Sequence, residues 1–429
     1  MTVRRRILLP LLAAVALGVA PHTPAAHAQA LRPTSAPADQ GGREILVMLR
    51  LSPDHHRPDA SYGGGYGDQT SNRMRFRRAQ EIARRHGLEL VGDGWPMPLI
   101  GYDCFVMHVR DGRTLEAATA EVSRDPLVAW SQPVQQFKAQ GGERQRGEGQ
   151  GDPLFRVQPA AAAWHLAALH RVATGRGVAI AVVDSKIDVN HPDLAGQFIA
   201  NQDFVSDKPS PPERHGTGVA GIIAAKEGNG IGIAGVAPEA RLMALRGCWQ
   251  TEIGHASAPT VCDSLSLAKA IQFAIDHGAA IINLSLSGPP DRLLAQLLQV
   301  ATLRHISVVA AYDPKQPRGG FPASAPGVTA VAGELPSFPP GVYGAPGRDI
   351  PTTEPGGKWN LVNGSSFAAA HMSGLLALVR EHSRAAPRSL LVAAHVGGGM
   401  VDPCATLAHA DRECACTCAP RPQFSASIR

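Results

Sequence analysis

Beyond Gly177 the chain alternates between two hydrophobic patterns. Apolar runs fall at Gly177–Asp184, Ala240–Arg246, Ala279–Leu286, Ile306–Ala311 and Val328–Gly333. Between them, at His215–Ala225, Ser264–His277, Asp291–Arg304 and Ser365–Ser383, apolar residues recur with helical spacing, as in Met372, Leu375, Leu376 and Val379. The runs are continuous rather than alternating, as in Ala279-Ala280-Ile281-Ile282, which is how strands buried on both faces read. Strands alternating with helices predict an α/β fold with a doubly wound, mostly parallel sheet. Sites in such sheets lie beyond the C-terminal strand ends. Asp184, Ser285 to Gly288 and Asp313 fall there.

A different pattern precedes it. Residues 43–139 read as strands at Glu44–Leu51, Leu88–Val91, Phe105–Val109 and Val128–Phe137, with helices at Asn72–His86 and Thr114–Ser123. The order βαββαβ predicts a small ferredoxin-like α+β unit. Residues 140–151 are Gln, Gly, Glu and Arg without periodicity, a linker composition. The first 28 residues place Arg4-Arg5-Arg6 before an apolar run from Ile7 to Ala20 and end on Ala26-His27-Ala28, the plan of a secretory signal. That run is too short, and too broken by Pro10 and Gly18, for a membrane span.

Three stretches carry candidate chemistry. Val182-Val183-Asp184 ends a strand on a carboxylate; His215-Gly216-Thr217-Gly218 opens a helix on a histidine; Asn363-Gly364-Ser365-Ser366 turns sharply into another helix. A serine there lies at the positive end of the helix dipole, among unpaired N–H groups, which suits a nucleophile whose attack creates an oxyanion. Singly, each has an ordinary structural explanation as a cap or turn residue. Together, in the order Asp, His, Ser, they resemble the motifs of subtilisin-like serine proteases, the subtilases, over about Asp152 to Ala410.

The resemblance implies roles. Asp184 would orient His215, His215 would act as base and then acid, and Ser366 would attack the peptide carbonyl. Ser285, Leu286, Ser287 and Gly288 would pair with substrate backbone, although the family generally has Gly where Ser287 stands. Asp193 and Asn229 resemble a structural calcium site; no cofactor is expected for catalysis. The 43–139 unit resembles the family's propeptide, an intramolecular chaperone and inhibitor. Lys186 replaces a usual Gly beside Asp184, and Ala370 a usual Pro. Asp313 stands where an oxyanion-binding Asn is usual, and an ionised Asp accepts hydrogen bonds but cannot donate them.

Composition sets the setting. Of the formal charge of +5, residues 1–150 supply +4 (19 basic, 15 acidic) and residues 151–429 supply +1 (22 and 21), so a mature enzyme has no basic excess for nucleic acid. Seven cysteines fit an oxidising compartment. Cys104 lies in the N-terminal unit, Cys248 and Cys262 suit a local loop closure, and Cys404 precedes Cys414, Cys416 and Cys418 in a tail at 411–429. The expectation is a secreted or periplasmic, monomeric serine endopeptidase made as a self-processing precursor. It would act on polypeptides and have no membrane span in its mature form. The other reading is a subtilase-fold protein that binds peptides or partners with little catalysis.

Overall fold

The computed structural model describes residues 43–51, 68–140, 142–144, 152–206, 208–252, 258–383, 387–395 and 398–410. The expected signal segment, residues 145–151 and the tail at 411–429 lie outside them.

The N-terminal unit contains β1 (Glu44–Arg50), α1 (Asp68–Arg85), β2 (Leu88–Met97), β3 (Tyr102–Val109), α2 (Leu115–Val122) and β4 (Val128–Pro133). Its antiparallel sheet has the order β2-β3-β1-β4, the split βαβ arrangement. Alternation along the strands separates two buried faces. Ile45, Val47, Phe105 and Met107 pack with Ile82, Ala118 and Val122 of the two helices. Leu46, Met48, Cys104 and Trp130 join the core of the larger unit instead. The last strand is shorter than the pattern predicts. Pro133, with no N–H to give, ends it, and the chain continues as β5 (Gln136–Ala139) and β6 (Gly142–Arg144) in other sheets.

The larger unit begins with α3 (Pro159–Ala163), α4 (Leu166–Leu169), β7 (Ala179–Asp184), β8 (Phe198–Asp203), α5 (Arg214–Ala224) and β9 (Arg241–Arg246). Next come β10 (Cys248–Gln250), β11 (Thr260–Asp263), α6 (Ser264–Asp276), β12 (Ile281–Leu284), β13 (Leu286–Ser287), α7 (Arg292–Leu303), β14 (Ser307–Ala311) and β15 (Thr329–Ala332). β16 (Val342–Gly344), β17 (Ile350–Glu354), β18 (Lys358–Asn363), α8 (Ser365–His382), α9 (Pro387–Leu390), β19 (Ala393–His395), β20 (Gly398–Val401) and α10 (Pro403–Ala410) complete it.

Nine strands form the main sheet in the order β19-β20-β16-β15-β14-β12-β7-β9-β8, parallel throughout except β19 against β20. Side chains alternate across it. Ile180, Val182, Ile281 and Val309 lie in one core with Ile222 of α5 and Leu375 of α8. Ala181, Val183, Ile282 and Val308 lie in the other with Ile271 of α6 and Leu297 of α7. The sheet is thus covered on both faces, as the apolar runs predict. After β7 the chain fills one flank, then crosses to β12 on the other, so the switch point lies between β7 and β12.

Two small sheets complete the architecture, in the orders β10-β11-β5-β13 and β17-β18-β6. In the first, β5 lies antiparallel between β11 and β13. In the second, β6 adds to β18. Residues 142–144, which read as linker, are therefore a paired strand. Their partners are backbone groups more than a hundred residues away, and such pairing leaves no side-chain periodicity to read.

Candidate active site

Asp184, His215 and Ser366 meet at the switch point. Asp184 ends β7 and is buried. Its Oδ1 accepts the Ser185 N–H at 2.7 Å and lies 2.8 Å from His215 Nδ1. His215 sits in the first turn of α5. That helix can approach because Gly216 has no side chain: a Cβ there would lie 2.3 Å from the Ser185 carbonyl oxygen. The His215 ring leans on Phe367, the residue after Ser366, with centroids 5.5 Å apart. His215 Nε2 is buried and has no hydrogen-bond partner among the described residues.

Ser366 lies in the first turn of α8, after Gly364 at φ 139°. Its hydroxyl is not hydrogen-bonded to His215. It donates to the Ser285 carbonyl at 2.7 Å and accepts the Gln140 N–H at 2.8 Å. The Ser366 N–H donates to the Gln140 carbonyl at 2.9 Å. Gln140 N also lies 3.4 Å from the Ser285 carbonyl. Upstream, Ala139 pairs with Leu286 and Lys138 with Ser287; downstream, Gly142 pairs with Asn363 and Glu143 with Val362. Residues 138–140 and 142–144 thus line the two sides of Ser366 in chain order, with the Gln140 carbonyl at the serine. Phe137 is buried against Phe321, ring centroids 6.3 Å apart. It occupies the space a side chain on Gly288 would take, 2.4 Å from such a Cβ.

A buried polar chain holds α8 to the end of β12. Ser373 Oγ donates to Asn283 Oδ1 at 2.8 Å, Asn283 Nδ2 to Ser285 Oγ at 2.8 Å, and Ser285 Oγ to the Ser366 carbonyl at 3.0 Å. Of these the sequence assigns roles to Ser285 and Ser366 but none to Asn283 or Ser373. Asn283 and Ser373 are separated by 90 residues, and polar residues inside apolar runs are the one signal that marks them.

The neighbours of Asp184 form a charged cluster. Glu213 is buried and accepts the Lys186 N–H at 3.0 Å and the Gln250 N–H at 3.3 Å. Arg246 Nη2 stands 3.6 Å from Glu213 Oε1. Burial raises the Glu213 carboxyl above its ordinary range, against the lowering effects of those N–H donors and Arg246. Lys186 Nζ faces Asp203 at 3.9 Å. Asp313 follows β14, and its Oδ1 accepts the Lys315 N–H at 2.9 Å, closing its own turn.

Asp193 and Asn229 come together, but in a donor set that does not fit a cation. Asn229 Nδ2 donates to Asp193 Oδ1 at 2.7 Å; the Ile233 N–H at 3.1 Å and the Trp359 indole N–H at 2.9 Å donate to Oδ2. Both carboxylate oxygens are met by N–H groups, and an indole nitrogen has no lone pair to offer a metal. Among the described residues no group of three or more His, Cys, Asp or Glu side chains is placed to hold an ion. Burial raises the Asp193 carboxyl, and these bonds oppose the rise. Cys248 and Cys262, paired across β10 and β11, form a disulfide of 2.07 Å; Cys404 is also disulfide-bonded.

A model of the subtilase family matches residues 175–394. The chain is similar to thermitase of Thermoactinomyces vulgaris, 34% identical over 230 residues that make 50% of this chain and 79% of that one. It is similar to subtilisin Savinase of Lederbergia lenta, 36% identical over 230 residues, 50% and 80%. A thermophilic serine proteinase of Bacillus sp. (strain AK1) is 37% identical over 223 residues, 48% of this chain, and the match spans about half, 53%, of that relative's length. Among solved structures, fervidolysin from Fervidobacterium pennivorans, a keratinolytic enzyme related to subtilisin, shares the fold. Its TM-score is 0.62 at 23% identity, covering 85% of this chain and 60% of that one.

Proposed function

Because the chain belongs to the subtilase family, we propose that it is the precursor of an exported serine endopeptidase and that it cuts itself between Gln140 and Gly141. One observation carries this reading: residues Gln136–Gln140 and Gly142–Arg144 pair with the two sides of the cleft as a substrate would, with the Gln140 carbonyl on the Ser366 N–H. Residues 43–139 are then the propeptide, which inhibits by occupying the cleft. Residues 152–410 are the peptidase domain, and polypeptides its substrates.

In this mechanism the Ser366 hydroxyl first swings from the Ser285 carbonyl to the unpartnered His215 Nε2. His215 takes its proton as Oγ bonds to the Gln140 carbonyl carbon, and Asp184 stabilises the imidazolium. The carbonyl oxygen becomes an oxyanion facing the Ser366 N–H at the positive end of α8. His215 gives the proton to the Gly141 nitrogen as the Gln140–Gly141 bond breaks. Water then releases the Gln140 carboxyl from Ser366 by the same base. Residues 1–28, outside the described region, would direct export.

The test is expression of the full chain and a Ser366→Ala form in a protease-deficient host. The parent should yield a mature species beginning at Gly141 by mass spectrometry, and the variant only uncut chain. Equal processing of both refutes the reading. A second reading, peptide binding with little turnover, is favoured by Asp313, which offers a carboxylate where a second oxyanion donor is expected. A serine-directed fluorophosphonate separates the two. It labels an activated Ser366 and leaves a mere binder unmodified.

A further inference from the structure

We propose that Ser287 is a specificity-determining residue that closes the slot beside the scissile residue and excludes bulky apolar side chains there. The inference rests on the reading of Gln140 as the residue before the cut. One wall of the cleft at that point is the segment Ser285 to Ser287, which runs beside Gln140, Ala139 and Lys138. The facing wall is the turn at Gly319 and Gly320, tied to the same edge by the reciprocal backbone bonds of Gly288 and Phe321 at 2.8 and 2.9 Å. Ser287 is buried between them. Its hydroxyl donates to the Gly319 carbonyl at 3.4 Å, and a Cβ on Gly320 would lie only 2.0 Å from Ser287 Oγ.

The hydroxyl therefore bridges the two walls. A larger side chain entering the slot would have to displace it or force the walls apart, and overpacking of that kind is costly. Gln140 does not enter. Its amide Nε2 folds back to the Lys138 carbonyl of its own strand at 3.3 Å, on the exposed side. A small residue, or a flexible polar one that bends out to water, is tolerated. A phenylalanine has neither recourse. Selectivity by an apolar side chain is left to the pocket that Phe137 fills three residues upstream.

The test keeps the full chain and changes residue 140. Gln140→Ala should self-cleave as fast as the parent, and Gln140→Phe at least about tenfold more slowly. Adding Ser287→Gly should restore the Gln140→Phe rate, and Ser287→Ala, which keeps the Cβ but drops the hydroxyl, should restore it in part. The coupling between the two positions separates a shared slot from independent damage. The same substitutions in a Ser366→Ala chain are read by amide hydrogen exchange over residues 136–140, which needs no catalysis. Gln140→Phe should lose protection there, and Ser287→Gly should return it. Gln140→Phe cut and protected like the parent, or a deficit untouched by Ser287→Gly, overturns the proposal. If no form cleaves itself, the exchange pattern alone decides the role of Ser287, and the failure falls on self-processing.

Discussion

Asp313 accepts the Lys315 N–H with one oxygen, and an asparagine keeps that bond while gaining an N–H₂ to donate. Loss of one oxyanion donor in a subtilisin costs about 10²–10³ in kcat. Asp313→Asn is therefore expected to raise kcat about 10- to 100-fold at mildly alkaline pH, with KM little changed. Rate against pH for both proteins checks this, and a variant no faster at any pH refutes it. Lys186 does not bear on Asp313 as an ion-pair partner; it faces Asp203. A second prediction concerns Asp193. Chelator should leave the melting temperature unchanged, whereas Trp359→Phe should cost about 1–3 kcal/mol, because a buried carboxylate oxygen loses its indole donor. A melting curve lowered by chelator, or untouched by Trp359→Phe, counts against this donor set as the one that serves Asp193. That Asp184 ends a strand and that His215 and Ser366 open helices was legible locally; what joined the three was the resemblance of their motifs, not any one of them. The proximity of Asp193 and Asn229 was legible too. Where the Ser366 hydroxyl points, and which groups meet Asp193, depend on residues far away in the chain, such as Ser285 and Trp359.

Helix α8 carries a pH sensor of its own stability in His371. The side chain is buried, its Nδ1 2.8 Å from the Phe367 carbonyl and its ring edge-on to Trp164 at 5.6 Å. Burial pushes its pKa down to about 4, only partly offset by the carbonyls of Phe367 and Pro346. The folded value is below the unfolded one, about 6.5, so the unfolded chain binds the proton more readily. The stability contribution is complete above about pH 6.5 and is lost as pH falls toward 4, by roughly 3 kcal/mol over the window. Urea unfolding of the Ser366→Ala chain between pH 7 and 4.5 should show this slope, and His371→Gln should flatten it. An equally steep slope in the variant excludes His371 as its source. At this scale the buried parallel strands β7, β12 and β14 were plain from their apolar runs. The edge strand β8, largely exposed with its polar end Asn201-Gln202-Asp203, was not. Nor were β5 and β6, whose order comes from the cleft they fill rather than from their own residues.

Across the whole molecule, the N-terminal sheet gives its second face to α6 and α7. Trp130 lies under Arg292 at 4.7 Å, and Trp95 under Lys269 at 4.7 Å. Gln132 Nε2 donates to Asp291 Oδ2 at 2.9 Å, on the carboxylate that also caps α7 through the Leu294 N–H. Cutting the chain at Gln140 removes none of these contacts, so the two pieces should co-elute on size exclusion after self-cleavage. Gln132→Ala gives up a hydrogen bond to a charged acceptor, worth about 1.5–3 kcal/mol. It should speed release of the N-terminal piece about tenfold or more, measured as the onset of activity on an added peptide. Release at the parent rate would show that the apolar face alone holds the complex.

For the endopeptidase proposed above, the placement of β5 as an inner strand, with backbone partners on both sides, would limit what could be digested once β5 is released. When β5 departs, β11 and β13 face each other across two strand spacings, about 9.5 Å. A gap of that width admits one extended chain and no helix, which with side chains is about 10–12 Å across. A target must therefore surrender roughly nine residues to the extended state, the span from Gln136 to Arg144, before its bond reaches Ser366. Such an endopeptidase would grade substrates by their local unfolding equilibrium. Tightly folded proteins should survive, while loops and damaged or denatured chains are consumed at a rate set by how often they open.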